Sequence, residues 1–177
     1  MFRLMSPRER VRSPLLWGGL VTMGLVAAGP LPPADPVEQG RPVRLSFDGW
    51  EKQRPTWSPD GQRLLVARHD PRGSKISLYL LDPGAPKTWT RLTRRDPPEY
   101  HGVFAPDGKS VLFASISQSG TQGNVDLAVI AFPSEGQDAK VIVGDSGKLA
   151  HQDWPSWSPD GRRFVFSSTH EGNQEIY

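Results

Sequence analysis

The chain has 177 residues, no cysteine and a formal net charge of +2. That length can bury a hydrophobic core, and the lack of cysteine excludes a disulfide framework and a thiolate zinc site. The basic pI near 9.1 belongs to the N terminus: residues 1–29 carry four arginines against one glutamate, which is +3 and leaves about −1 for the rest, so no basic surface for nucleic acid is indicated.

Arg3, Arg8, Arg10 and Arg12 precede an apolar stretch from Leu15 to Ala28. A basic start, a short apolar middle and small residues at Ala27, Ala28 and Gly29 describe a secretory signal peptide over 1–28. The apolar stretch is short for a membrane span. Cleavage after Ala28 places Val26 and Ala28 at the recognised positions, and the alternative is an uncleaved signal anchor. No arginine pair precedes the apolar run, so twin-arginine export is not supported. Either way the body is expected outside the cytoplasm, periplasmic or extracellular. Residues 29–40 form a proline-rich linker, since four prolines in 30–40 disallow helix and favour polyproline geometry.

The body, 41–177, repeats one phrase. It reads Trp57-Ser58-Pro59-Asp60-Gly61, then Phe104-Ala105-Pro106-Asp107-Gly108, then Trp157-Ser158-Pro159-Asp160-Gly161. The aspartates stand 47 and 53 residues apart, a period typical of propeller blades. Proline presets φ for a type I turn and the glycine supplies the left-handed residue that closes it; together they make a hairpin turn with a bulge. Pro59, Asp60, Gly61, Pro106, Asp107, Gly108, Pro159, Asp160 and Gly161 are therefore structural turn residues, each aspartate capping its own backbone. Trp57, Phe104 and Trp157 are expected to pack between blades.

Apolar runs flank these turns, and they predict an all-β fold. In chain order the strands are 41–47, with Val43, Leu45 and Phe47 on one face; a strand ending at Trp57; then 63–68, 76–81 and 89–92. The second repeat gives a strand at Val103-Phe104, then 110–115, 125–130 and 140–143. The third gives 154–157, 163–168 and the start of a strand at 175–177. No stretch keeps a helical period. Glycine and proline, 18 each, fall at the turns between these runs, as many short strands require.

The run Pro155-Ser156-Trp157-Ser158-Pro159-Asp160-Gly161-Arg162-Arg163-Phe164-Val165-Phe166, continued by Gly172-Asn173-Gln174-Glu175-Ile176-Tyr177, resembles the PD40 (WD40-like) repeats of TolB-like β-propellers, and Arg91-Leu92-Thr93 resembles their outermost strand. The resemblance covers about 41–177. It implies a partial propeller of about three four-stranded blades and an exported, non-enzymatic scaffold that binds protein partners, for example in the Tol–Pal envelope system. Propellers close with four to eight blades, and an open arc exposes strand edges and apolar faces. Two expectations follow: the chain is part of a longer protein, or Arg41–Phe47 completes the third blade of a second copy, giving a six-bladed homodimer.

Aligning on the turn phrase stacks Arg54, His101 and Trp154 in one register, Gln53, Tyr100 and Asp153 in the next, and Lys52, Glu99 and Gln152 in a third. These positions are expected just before the innermost strands, ringing one mouth of a central channel, where convergent polar and aromatic groups build a pocket. The competing reading is that they only solvate the channel. His101, His151 and Asp153 lack ligand spacing, so no metal and no cofactor are expected. No catalytic residue is assigned: Gly-x-Ser-x-Gly and phosphate-binding glycine loops are absent. The alternatives are the front portion of a peptidase resembling the prolyl-oligopeptidase family, or a small-ligand or glycan binder at the channel mouth.

Overall fold

The computed structural model describes residues 40–72, 75–116, 123–134, 138–144 and 149–177. The sheets all lie within one unit, 42–177. The expected leader and most of the linker lie outside the described residues, and no helix occurs among those described.

Eleven strands form: β1 Glu51–Trp57, β2 Leu64–His69, β3 Ile76–Leu81, β4 Trp89–Arg91, β5 Glu99–Phe104, β6 Ser110–Ile116, β7 Val125–Ala131, β8 Lys140–Val143, β9 Gln152–Trp157, β10 Phe164–Ser168 and β11 Glu175–Ile176. They make three antiparallel meanders, β1-β2-β3-β4, β5-β6-β7-β8 and β9-β10-β11. The third sheet has three strands among the described residues, not four.

The repeated turn joins the first two strands of each meander, and its chemistry recurs. Gly61 N–H donates to Ser58 O at 2.8 Å, Gly108 to Ala105 at 2.9 Å and Gly161 to Ser158 at 2.9 Å. The three glycines have φ of 68°, 69° and 67°, a left-handed backbone that glycine adopts without a Cβ penalty. Oδ1 of Asp60, Asp107 and Asp160 accepts the backbone N–H two residues on, at 3.0, 2.9 and 3.0 Å. The Ser58 and Ser158 hydroxyls donate to Asp60 and Asp160, and these bonds hold both carboxyls below the usual range.

The core lies between sheets, because both faces of the second strand in each sheet are apolar. Leu65 and Ala67 of β2 pack with Val111 and Phe113 of β6. The alternate residues of β6, Leu112 and Ala114, pack toward Trp157, Phe164 and Phe166 of the third sheet. β1 neighbours β5, and β5 neighbours β9, so the first strands of the three sheets line the inside of the arc, as blades around a propeller axis require.

Two expectations need correction. Residues 41–47 are not a strand. Alternation supplies a face but no sheet edge, and here Leu45 packs instead against Leu64, Val66 and Leu81 on the outer face of the first sheet. Trp57 is not packed between sheets: it is 57% exposed, whereas Phe104 is buried between the first two sheets and Trp157 packs against the second. Trp57 stands where those two stand, on the side of the first sheet that no other described sheet covers.

Candidate functional site

The inner strands share an irregularity. The pairing register of β1 with β2 shifts between Gln53 and Thr56, that of β5 with β6 between Tyr100 and Val103, and that of β9 with β10 between Asp153 and Ser156. At each bulge one non-glycine residue takes a left-handed backbone: Arg54 at φ 52°, His101 at 53° and Trp154 at 57°. Such a conformation costs on the order of 1–3 kcal/mol, and a bulge re-aims the side chain it carries. The three residues therefore lie within the innermost strands, on bulges, and not in loops before them.

The bulge at His101 is closely packed against the first sheet. A Cβ on Gly102 would fall 2.8 Å from Leu65 Cδ2 and 3.2 Å from both terminal carbons of Leu78. Only glycine lets β5 approach the first sheet this closely. Thr56 Oγ1–H then donates to Gly102 O at 3.0 Å, tying β1 to β5.

The aligned residues of all three sheets meet. The Arg54 guanidinium carbon lies 3.4 Å from the centre of the Trp154 ring. The His101 imidazole stacks on the same ring at 4.2 Å and 21°. Two flat groups this near one ring centre would overlap on a single face, so they hold the indole from opposite sides. Tyr100 meets His101 edge-on at 5.2 Å. His101 Nδ1–H donates to Asp153 Oδ1 at 2.5 Å, since an ionised carboxylate only accepts. The same oxygen accepts the Trp154 backbone N–H at 2.8 Å. Burial, assisted by the Asp153 charge, pushes the Tyr100 phenol up to about 12, so it remains a donor.

The other aligned residues do not join this cluster. Gln53 turns its amide to Glu51 at 2.6 Å. Lys52 Nζ pairs with Asp48 and with Trp50 O, beside the Trp89 ring. Glu99 and Gln152 are buried and so do not line an open mouth. Thr93 Oγ1–H, at the end of the first sheet, donates to Glu99, while Glu99 Oε1 and Gln152 Oε1 have no partner among the described residues. Burial pushes the Glu99 carboxyl up to about 7, against the pull of Thr93, Arg95 and Arg91.

The cluster has no nucleophile positioned on a base. Among the described residues no three His, Cys, Asp or Glu side chains come together as a metal site; the backbone of His151 bonds Thr169 instead. What the arrangement offers is hydrogen-bond donors on an aromatic stack. Counting back from the turn phrase finds the columns of this cluster. Nothing in the sequence marks the Thr93–Glu99 contact, or the group in which Arg68 pairs with Asp48 among the rings of Trp50, Tyr79 and Trp89.

No family model matches the chain. It is 30% identical over 120 residues to an uncharacterized protein of Agrobacterium fabrum, covering 68% of this chain and 37% of that protein. It is 33% identical over 64 residues to the Tol-Pal system protein TolB of Xanthomonas campestris pv. campestris, covering 36% of this chain and 14% of that one. The chain thus spans little more than a third of the length of the curated relatives it matches, and less in TolB. Among solved structures, TolB from Acinetobacter baumannii superposes with a TM-score of 0.56 at 26% identity, over 72% of this chain and 29% of that one. An oligogalacturonate lyase from Vibrio parahaemolyticus, at 17% identity and a TM-score of 0.53 over 73% of this chain and 35% of its own, shares the fold alone. Three antiparallel sheets, their inner strands convergent and their faces packed in series, give this protein a TolB-like β-propeller fold.

Proposed function

We propose that the protein is an exported, TolB-like propeller scaffold that binds a protein partner in the cell envelope and is not itself an enzyme. The observation that carries this reading is the meeting of Arg54, His101 and Trp154, one residue from each sheet, on the inner strands. It is a recognition surface with donors and rings but no nucleophile–base pair. The similarity to the Tol-Pal system protein TolB supports the choice of an envelope partner, with 1–28 as the export signal, 29–40 as the spacer and 41–177 as the propeller segment. In this reading the ring closes with sheets encoded beyond these residues or with a second copy, and light scattering separates the two.

The test is direct binding. The protein, produced with its leader, is recovered from the periplasm by osmotic shock and titrated calorimetrically with the purified Tol–Pal proteins of the producing organism. Saturable binding that weakens when Trp154 is changed to alanine supports the scaffold. Cytoplasmic retention, or no binding to any of these proteins, overturns it.

A further inference from the structure

We infer that the inner cluster is a receptor for a carboxylate, with Arg54 as its anchor; this deepens the scaffold reading and rests on it. The Arg54 guanidinium is exposed and stacked on Trp154, yet it makes no hydrogen bond or ion pair among the described residues. A guanidinium held flat against an indole keeps its edge free, and that edge carries the planar fork of N–H groups that matches a carboxylate. Stacking also fixes the side chain beforehand, so less freedom is lost when a ligand binds.

The surrounding chemistry points the same way. The two acidic groups of these strands that reach solvent are already engaged: Glu51 with Gln53 and His69, and Asp153 with His101 and the Trp154 backbone. The Tyr100 hydroxyl remains a donor and makes no hydrogen bond among the described residues. Available donors outnumber available acceptors, so a ligand that only accepts fits best. For a protein partner that ligand is an acidic side chain or the terminal carboxylate of its backbone.

Three peptide probes separate these sources: acetylated tetraglutamate amide, acetylated tetraglutamine amide, and acetylated tetraglutamine with a free C terminus. Each is titrated into the full protein at low salt by calorimetry, with the Arg54 guanidinium N–H followed by NMR. Binding of the first probe assigns glutamate-type carboxylates, and binding of the third assigns a terminal carboxylate. The expected result is saturable binding of one of them, weakened about tenfold or more by Arg54→Gln, partly restored in Arg54→Lys, and unchanged in Arg162→Gln, a charge removed from the β9–β10 turn. Equal binding of the neutral amide, equal binding by Arg54→Gln, an equal loss in Arg162→Gln, or tighter binding of inorganic phosphate overturns the inference. If an envelope protein binds Arg54→Gln and the native protein alike, the carboxylate assignment fails and the scaffold stands. If the peptides bind and no envelope protein does, the scaffold fails and the site stands.

Discussion

Replacing Glu99 by glutamine should change how stability depends on pH. Glu99 has no exposed surface. It accepts one bond from Thr93, and its second oxygen has no partner among the described residues. Burial raises its pKa from 4.5 to about 7. The unfolded chain therefore releases this proton near pH 4.5, and the folded chain holds it until about pH 7. Well below the lower value both states are protonated and the group costs nothing. Between the two values stability falls as pH rises, because the unfolded state alone has ionised. Above the higher value the penalty is complete and constant. At about 1.4 kcal/mol per unit, the full loss is about 3 kcal/mol. Asp48, Asp60, Asp96 and Asp160 act in the opposite sense, losing stability as pH falls, and below this window, since their carboxyls are held under 3.8. The assay is urea unfolding followed by tryptophan fluorescence, from about pH 4.5 to about pH 8, for the native protein and Glu99→Gln. The difference between the two removes every other titrating group. The native protein should lose about 3 kcal/mol relative to the variant across the window. Parallel curves would refute the reasoning.

Three further substitutions probe the fold by denaturant midpoint. Gly102→Ala should destabilise by about 1–3 kcal/mol, because its Cβ would meet Leu65 at 2.8 Å; an unchanged midpoint would mean the inner strands can move apart. Gly61→Ala meets nothing within 4 Å but keeps φ at +68°, so the left-handed backbone alone should cost about 1 kcal/mol. Phe113→Ala empties a fully buried site between the first two sheets and should cost about 3–5 kcal/mol.

Much of this arrangement is legible in the sequence because each turn phrase fixes the phase of the strand after it. Leu64-Leu65-Val66-Ala67 reads as a strand covered on both faces, and the structure divides it that way: Leu65 and Ala67 toward the second sheet, Leu64 and Val66 toward the other side. The column of Arg54, His101 and Trp154 also emerges on counting back three residues from Trp57, Phe104 and Trp157. Their convergence does not, because the bulge that aims them carries no glycine at the left-handed position. Residues 41–47 mislead for a different reason: alternation describes a face, whereas a strand also needs an edge to pair with. Glu99 reads as part of an open mouth because a charged residue at the start of a strand normally faces water. Buried, its carboxyl is met by Thr93, six residues earlier, at the end of the neighbouring sheet.

The three bulges separate the role of the backbone from that of the side chains. The same left-handed φ recurs in each sheet, while the residues that carry it are arginine, histidine and tryptophan. A strain repeated in register belongs to the sheet, so it does not by itself mark a binding site; the proposed site rests instead on the meeting of three unlike side chains. Trp154→Gly tests the distinction. Glycine relieves the left-handed backbone, by about 1 kcal/mol, and loosens the unfolded chain by a similar amount. The indole is 43% exposed, so its removal also forfeits burial worth on the order of 2–3 kcal/mol. Stability should therefore fall by an amount of that order, and the titration is run where circular dichroism shows the variant folded; there Arg54 has lost its platform and carboxylate binding weakens with it. A variant that binds the acidic peptide as well as the native protein would mean that the stack is packing alone, and that Arg54 needs no fixed support to act.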